Sequence, residues 1–94
     1  MGAPFKLGQP ATAFMSRWVQ VDCRDMSWEK ARRHLCLARI PAKKGDLIEI
    51  VSTLGTLRED LGAWCRRLGD SLVGTEHHGE VFVGQVRVSI CLTD

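Results

Sequence analysis

The chain reads as β-α-β-α-β-β, which predicts an α/β two-layer sandwich: a four-stranded mixed sheet with two helices on one face. Three observations carry that prediction. Apolar residues alternate at a period of two around Val19, Val21 and Cys23; they recur at helical spacing after Ser27 and again after Thr56; and two further extended stretches follow Gly69.

Length sets the frame. At 94 residues the chain holds one small domain and one core. Residues 1–16 carry Gly2, Pro4, Gly8 and Pro10 without periodicity and read as a flexible N-terminal tail, with Phe5, Leu7 and Phe14 as docking points. Residues 17–94 form the domain. Met15 is a second candidate for the native start. No apolar run approaches the roughly 20 residues that span a bilayer, and the N-terminus has no apolar h-region, so a cytoplasmic protein without membrane contact is expected. A net charge of +2 does not by itself argue for nucleic acid.

The first strand begins at Trp18, with Val19, Val21 and Cys23 on the buried face and Gln20 and Asp22 on the other. Ser27 suits a helix N-cap, and Met26 and Ala31 stand at the spacing of a hydrophobic staple. The helix over 28–40 puts Trp28, Ala31, Leu35 and Ala38 on one face, and Pro41 ends it. After the Lys43-Lys44-Gly45-Asp46 turn, the nearly continuous apolar run over 47–51 suits a central strand. It should lie parallel to the first, joined by a right-handed crossover.

Thr56 and Glu59 have the spacing of a capping box. The helix they open carries Leu57, Leu61, Trp64, Cys65 and Leu68 on one stripe, and Gly69 is placed to close it. A short strand over 71–76, a turn over 77–80 and a long strand over 81–92 complete the chain. In the last strand Phe82, Val86, Val88, Ile90 and Leu92 are expected to face the core, with Gln85, Arg87, Ser89 and Cys91 opposite. An exposed edge strand permits dimerisation without requiring it.

The run Asp22-Cys23-Arg24-Asp25-Met26-Ser27-Trp28-Glu29-Lys30-Ala31, the Lys44-Gly45-Asp46 turn, and Asp60-Leu61-Gly62-Ala63-Trp64-Cys65 followed by Leu68-Gly69 together resemble the TusA/SirA family of small sulfur carriers. The resemblance covers roughly 19–92. It implies a fold likened to the C-terminal domain of a bacterial translation initiation factor, and a working cysteine at the start of the first helix. That cysteine accepts sulfur as a persulfide from a cysteine desulfurase, the helix N-terminus favouring the thiolate.

Asp22 and Arg24 fit the family's opening pattern, and Met26 replaces a leucine. Asp25 replaces a glycine, Trp28-Glu29 replaces the Cys-Pro pair, and Ala31 replaces a second proline. A tryptophan holds no persulfide. The expectation is therefore a non-catalytic relative that binds a protein partner, in sulfur-transfer pathways as the resemblance implies. Asp22, Arg24, Met26, Trp28, Glu29, Arg32 and Arg33 are the partner-binding candidates. Packing of Met26 and Trp28 around the helix start is the competing reading, against an apolar anchor pair at an interface.

Two alternatives stay open: a sulfur carrier using a displaced cysteine, Cys23 first, and an RNA- or ribosome-associated module. The four cysteines are scattered, without CxxC or zinc-type spacing, and read as reduced thiols. Cys23 and Cys65 point to the core, Cys36 lies on a helix flank, and Cys91 is the most accessible. His77 and His78 beside Glu76 and Glu80 read as a solvated hairpin rather than a metal site, and His34 and Cys36 do not share a helix face. Neither metal nor other cofactor is expected.

Lys30, Arg32, Arg33, Arg39, Lys43 and Lys44 make the first helix and its following turn basic, suited to an acidic protein. The chain has no tyrosine and no basic surface interleaved with aromatic residues, which leaves base stacking unsupported. No nucleophile–base pair, phosphate loop or paired carboxylates emerge, and with Trp28 at the position where the resemblance implies a sulfur-accepting cysteine, no enzymatic activity is expected.

Overall fold

The computed structural model describes residues 17–90. They form β1 (Trp18–Cys23), α1 (Trp28–Arg39), β2 (Leu47–Ser52), α2 (Leu57–Leu68), β3 (Ser71–His78) and β4 (Val81–Arg87), in the expected order. The expectations placed on residues 1–16, Cys91 and Leu92 lie outside the described residues.

The strands build one mixed sheet in the order β1-β2-β4-β3. β1 and β2 run parallel, while β4 is antiparallel to both β2 and β3. One face carries the buried Cys23, Ile48, Ile50 and Val86 under Ala31 and Leu35 of α1 and Leu57, Leu61, Trp64 and Cys65 of α2. Each fully buried Leu or Ile contributes roughly 1.5–3 kcal/mol of apolar transfer free energy. Gly84 of β4 also faces α2, and a Cβ there would collide with Leu61 Cδ1. The glycine lets the helix seat closely. The opposite sheet face is uncovered by either helix, and Gln20, Glu49 and Gln85 form a hydrogen-bonded row across it.

Local signals explain the boundaries. Ser27 caps α1, its Oγ accepting from the Lys30 N–H at 3.2 Å. Gly69 closes α2 in the left-handed conformation, φ 79°. β2 lies between two strands, as its apolar run requires.

Four expectations need correction. Thr56 and Glu59 form no capping box: the Thr56 hydroxyl donates to Asp60 Oδ2 at 2.8 Å and makes no cap bond. The Leu57 N–H closes a turn onto the Leu54 carbonyl, leaving Thr56 at ψ 13° instead of the extended conformation of a cap. β3 continues through His77 and His78, which pair with Phe82 and Val81, so only Gly79 and Glu80 turn. Gly79 supplies the positive φ (65°) that a two-residue hairpin needs.

The last strand stops at Arg87 and does not reach 92. Beyond it, Val88 still bonds through its backbone to Gly45 and Asp46; the Ser89 N–H then donates to Asp70 and the Ile90 carbonyl accepts from Arg39, so side chains replace the ladder and Ile90 is half-exposed. Finally, Arg39 does not join the basic surface. It stands four residues after Leu35 on the sheet-facing stripe and is buried against Asp70.

Candidate functional site

The C-terminal ends of β1 and β2, the β3–β4 hairpin and the N-termini of both helices gather at one end of the sheet. Cys23, Ser52, Phe82 and His77 stand side by side there across the four strands. In open α/β sheets, the carboxyl ends of parallel strands beside helix starts are where ligands are commonly held.

The link from β1 to α1 is short and internally tied. Asp22 Oδ1 accepts from the Arg24 backbone N–H (3.1 Å) and Nε (3.0 Å), and Oδ2 accepts from Nη2 (2.8 Å). These hydrogen bonds, and Arg24's charge, bring the exposed Asp22 carboxyl down to about 2 and raise the Arg24 guanidinium. Asp25 then turns the chain with φ 63°. Its N–H donates to Thr53 Oγ1 at 2.9 Å, fastening the link to the chain just past β2. The Met26 N–H reaches back to the Cys23 carbonyl at 3.3 Å.

Asp22, Arg24, Asp25 and Met26 line an open cleft of about 470 Å³, closed on the far side by Thr53, Glu80 and Val81. Of the sequence candidates, the structure brings Asp22, Arg24 and Met26 together there. Trp28, Glu29, Arg32 and Arg33 are not in its lining and continue the same end of the molecule along α1. Met26 and Trp28 each pack one side against the core and keep another in solvent. Glu29, Lys30, Arg32 and Arg33 are exposed, and among the described residues none of these four side chains forms an ion pair.

Cys23 is sealed, with 0% exposure and its Sγ 4.0 Å from the Ala31 carbonyl oxygen. Burial, and then the charge of Asp22, raises its pKa. Cys65 is pushed up to about 11, chiefly by burial and then by Asp70. Thiols so placed are poor nucleophiles. Cys36 is half-buried.

Sequence reasoning did not single out Thr53 or Val81, because only the sheet order brings them beside Asp25. It also missed a second cleft, about 230 Å³, between Leu57 and Arg58 at the start of α2 and the His77–Phe82 pair. Those rings stack with centroids 4.2 Å apart. The signal was present in the hairpin arithmetic: a turn confined to Gly79 and Glu80 sets His77 opposite Phe82.

No protein-family model, curated protein or solved structure matches this chain. Among the described residues, no three His, Cys, Asp or Glu side chains stand close enough to hold a metal ion; His78 Nε2 lies 2.8 Å from Glu76 Oε1 as an isolated pair. No helix there is long and apolar enough to cross a membrane. The site offers fixed charge and partly exposed apolar side chains, which are the materials of recognition.

Proposed function

We propose that this domain is a TusA-like protein-binding module, a relative of the sulfur-relay carriers that docks a partner without carrying sulfur. The docking surface runs from the Asp22–Arg24 pair and Met26 through Trp28 and Glu29 to Arg32 and Arg33. The observation that carries the reading is the pairing of a sealed Cys23 with unneutralised cations beside it. The thiol nearest the turn is out of reach, while Lys30, Arg32 and Arg33 stand exposed without an ion-pair partner among the described residues. An acidic partner surface neutralises those cations, and Met26 and Trp28 supply the central apolar contact around which charged rims organise.

The test mixes the protein with a cysteine desulfurase and cysteine, following complex formation by calorimetry and sulfur uptake by intact mass. The expected result is a salt-sensitive complex with no added sulfur, weakened by Trp28→Ala and by Arg32→Glu with Arg33→Glu in variants that remain folded. Transferable sulfur on one cysteine, lost when that cysteine becomes serine, replaces this reading with a displaced-cysteine carrier. Absence of both complex and uptake removes the sulfur-relay partner.

A further inference from the structure

The two edges of the sheet differ in how they are protected. β3 carries a register irregularity between Leu72 and Gly74, a common device against edge pairing. β1 is regular through all six of its pairs with β2 and contains neither proline nor lysine. The Arg17 carbonyl accepts from the Leu47 N–H at 2.8 Å, so odd-numbered residues of β1 direct their backbone groups to β2. Alternation then turns the N–H and C=O of Trp18, Gln20 and Asp22 toward the outer edge, which pairs with no other strand among the described residues. That edge is bounded after Asp22, because the Arg24 N–H is already taken by Asp22 Oδ1.

We infer that β1 is a self-association edge, on which a second copy of this chain pairs antiparallel about a two-fold axis at Gln20. Only residues with outward backbone groups can form hydrogen-bonded pairs, and among registers confined to Trp18, Gln20 and Asp22 this one uses every group. It sets Trp18 against Asp22 of the second copy, Gln20 against Gln20, and Asp22 against Trp18: three pairs of two bonds, six in all.

The side chains agree with that register on both faces. On the uncovered face, Gln20 Nε2 donates to Glu49 Oε1 at 2.7 Å, and Gln85 Nε2 donates to Glu49 Oε2 at 3.2 Å. The remaining N–H and the carbonyl oxygen of the Gln20 amide complement the same groups of the other Gln20. The polar row then runs unbroken through both sheets. Trp18, 69% exposed, meets the Asp22–Arg24 pair, where a guanidinium can lie on its ring. On the helix face, Val19 meets Val21, a favourable β-branched cross-strand pair, and both are only half-buried in the single chain. The interface is isologous and closes on itself. One edge strand covers less than the roughly 1,200 Å² of a stable interface, so the dimer is weak and reversible.

The test uses the full chain in sedimentation experiments from micromolar to millimolar concentration, with amide hydrogen exchange read at Gln20 and Asp22. A monomer–dimer equilibrium is expected, with those two amides becoming protected as concentration rises. Gln20→Lys puts two ammonium groups face to face on the axis and removes the Gln20–Gln20 amide pairing. It should raise the dimer dissociation constant by at least about tenfold. A strictly monomeric protein overturns the inference, as does a dimer indifferent to Gln20→Lys. Protection of Gln20 and Asp22 that is independent of concentration overturns it too, because another segment then occupies the edge. The exchange reading needs no variant and holds even if Gln20→Lys fails to fold.

Discussion

Arg39 and Asp70 face each other fork to fork, Nε to Oδ2 at 2.6 Å and Nη2 to Oδ1 at 3.0 Å, with side-chain exposures of 1% and 0%. The pair joins the end of α1 to the link between α2 and β3. It also holds the chain leaving β4, since Asp70 Oδ1 accepts from the Ser89 N–H and Arg39 Nη2 donates to the Ile90 carbonyl. Arg39 Nη1 is buried without a hydrogen-bond partner among the described residues, so the cluster is not fully compensated. Removing one member leaves the other as a buried lone charge. Asp70→Ala or Arg39→Ala should each cost roughly 3–5 kcal/mol in urea unfolding, while Arg39→Met with Asp70→Leu recovers most of the loss.

Gly84 and Leu61 make a second relationship of that kind, through space instead of charge. Leu61 is fully buried, and its Cδ1 occupies the place of a Cβ at position 84. Gly84→Ala should therefore destabilise the domain by about 1–3 kcal/mol through overpacking. In a double-mutant cycle, Leu61→Ala should relieve much of that penalty, giving a coupling of roughly 0.5–3 kcal/mol. Simple additivity would show that α2 does not press on the sheet there.

Asp25 is the one residue other than glycine with positive φ among the described residues. Its backbone N–H, not its side chain, makes the bond to Thr53. Asp25→Gly keeps that donor and removes the steric cost of a left-handed residue, so it should stabilise the fold by up to about 1 kcal/mol, read as a higher midpoint in thermal unfolding. Asp25→Val should do the reverse, because a β-branched side chain tolerates this conformation least.

Local chemistry accounts for what was legible in the sequence. Period-two alternation marked Cys23 as a core residue, the Ser27 oxygen had a fixed target in its own helix, and Gly69 closed a helix that needed a left-handed residue. Failures came where a distant group competed. Thr56 was drawn into a turn with Leu54, and Arg39 was claimed by Asp70, 31 residues away. The cleft was half legible. Asp22, Arg24 and Met26 are neighbours in sequence, but Thr53 and Glu80 reach them only through strand order, which local pattern does not encode.

Asp46 should govern part of the acid limb of stability. Burial raises its carboxyl, but the N–H groups of Lys43 and Arg17, together with the Arg17 guanidinium, outweigh it and hold the group below its ordinary 3.8. A carboxylate depressed in the folded state stabilises fully above its unfolded value and ceases to do so as pH falls through the folded one. Asp46→Asn should therefore be less stable than wild type at neutral pH, and the gap should narrow as pH drops below about 4. Denaturant midpoints across an acid titration read this directly, and a gap that widens toward low pH contradicts it.

The thiols provide the most direct reading of the site. With Cys23 and Cys65 sealed and both pKa values raised, alkylation of the native protein should reach them only as fast as the domain opens. Cys36, half-buried, should label in the folded state. Peptide mapping after timed alkylation, with and without denaturant, separates the three. Denaturant should accelerate Cys23 and Cys65 by orders of magnitude and Cys36 far less. If Cys23 instead labels as fast as Cys36 while circular dichroism is unchanged, the turn opens without unfolding. Asp25–Thr53 and Met26–Cys23 would then be a latch over a reachable thiol, and sulfur transfer through Cys23 would displace partner binding as the account of this site.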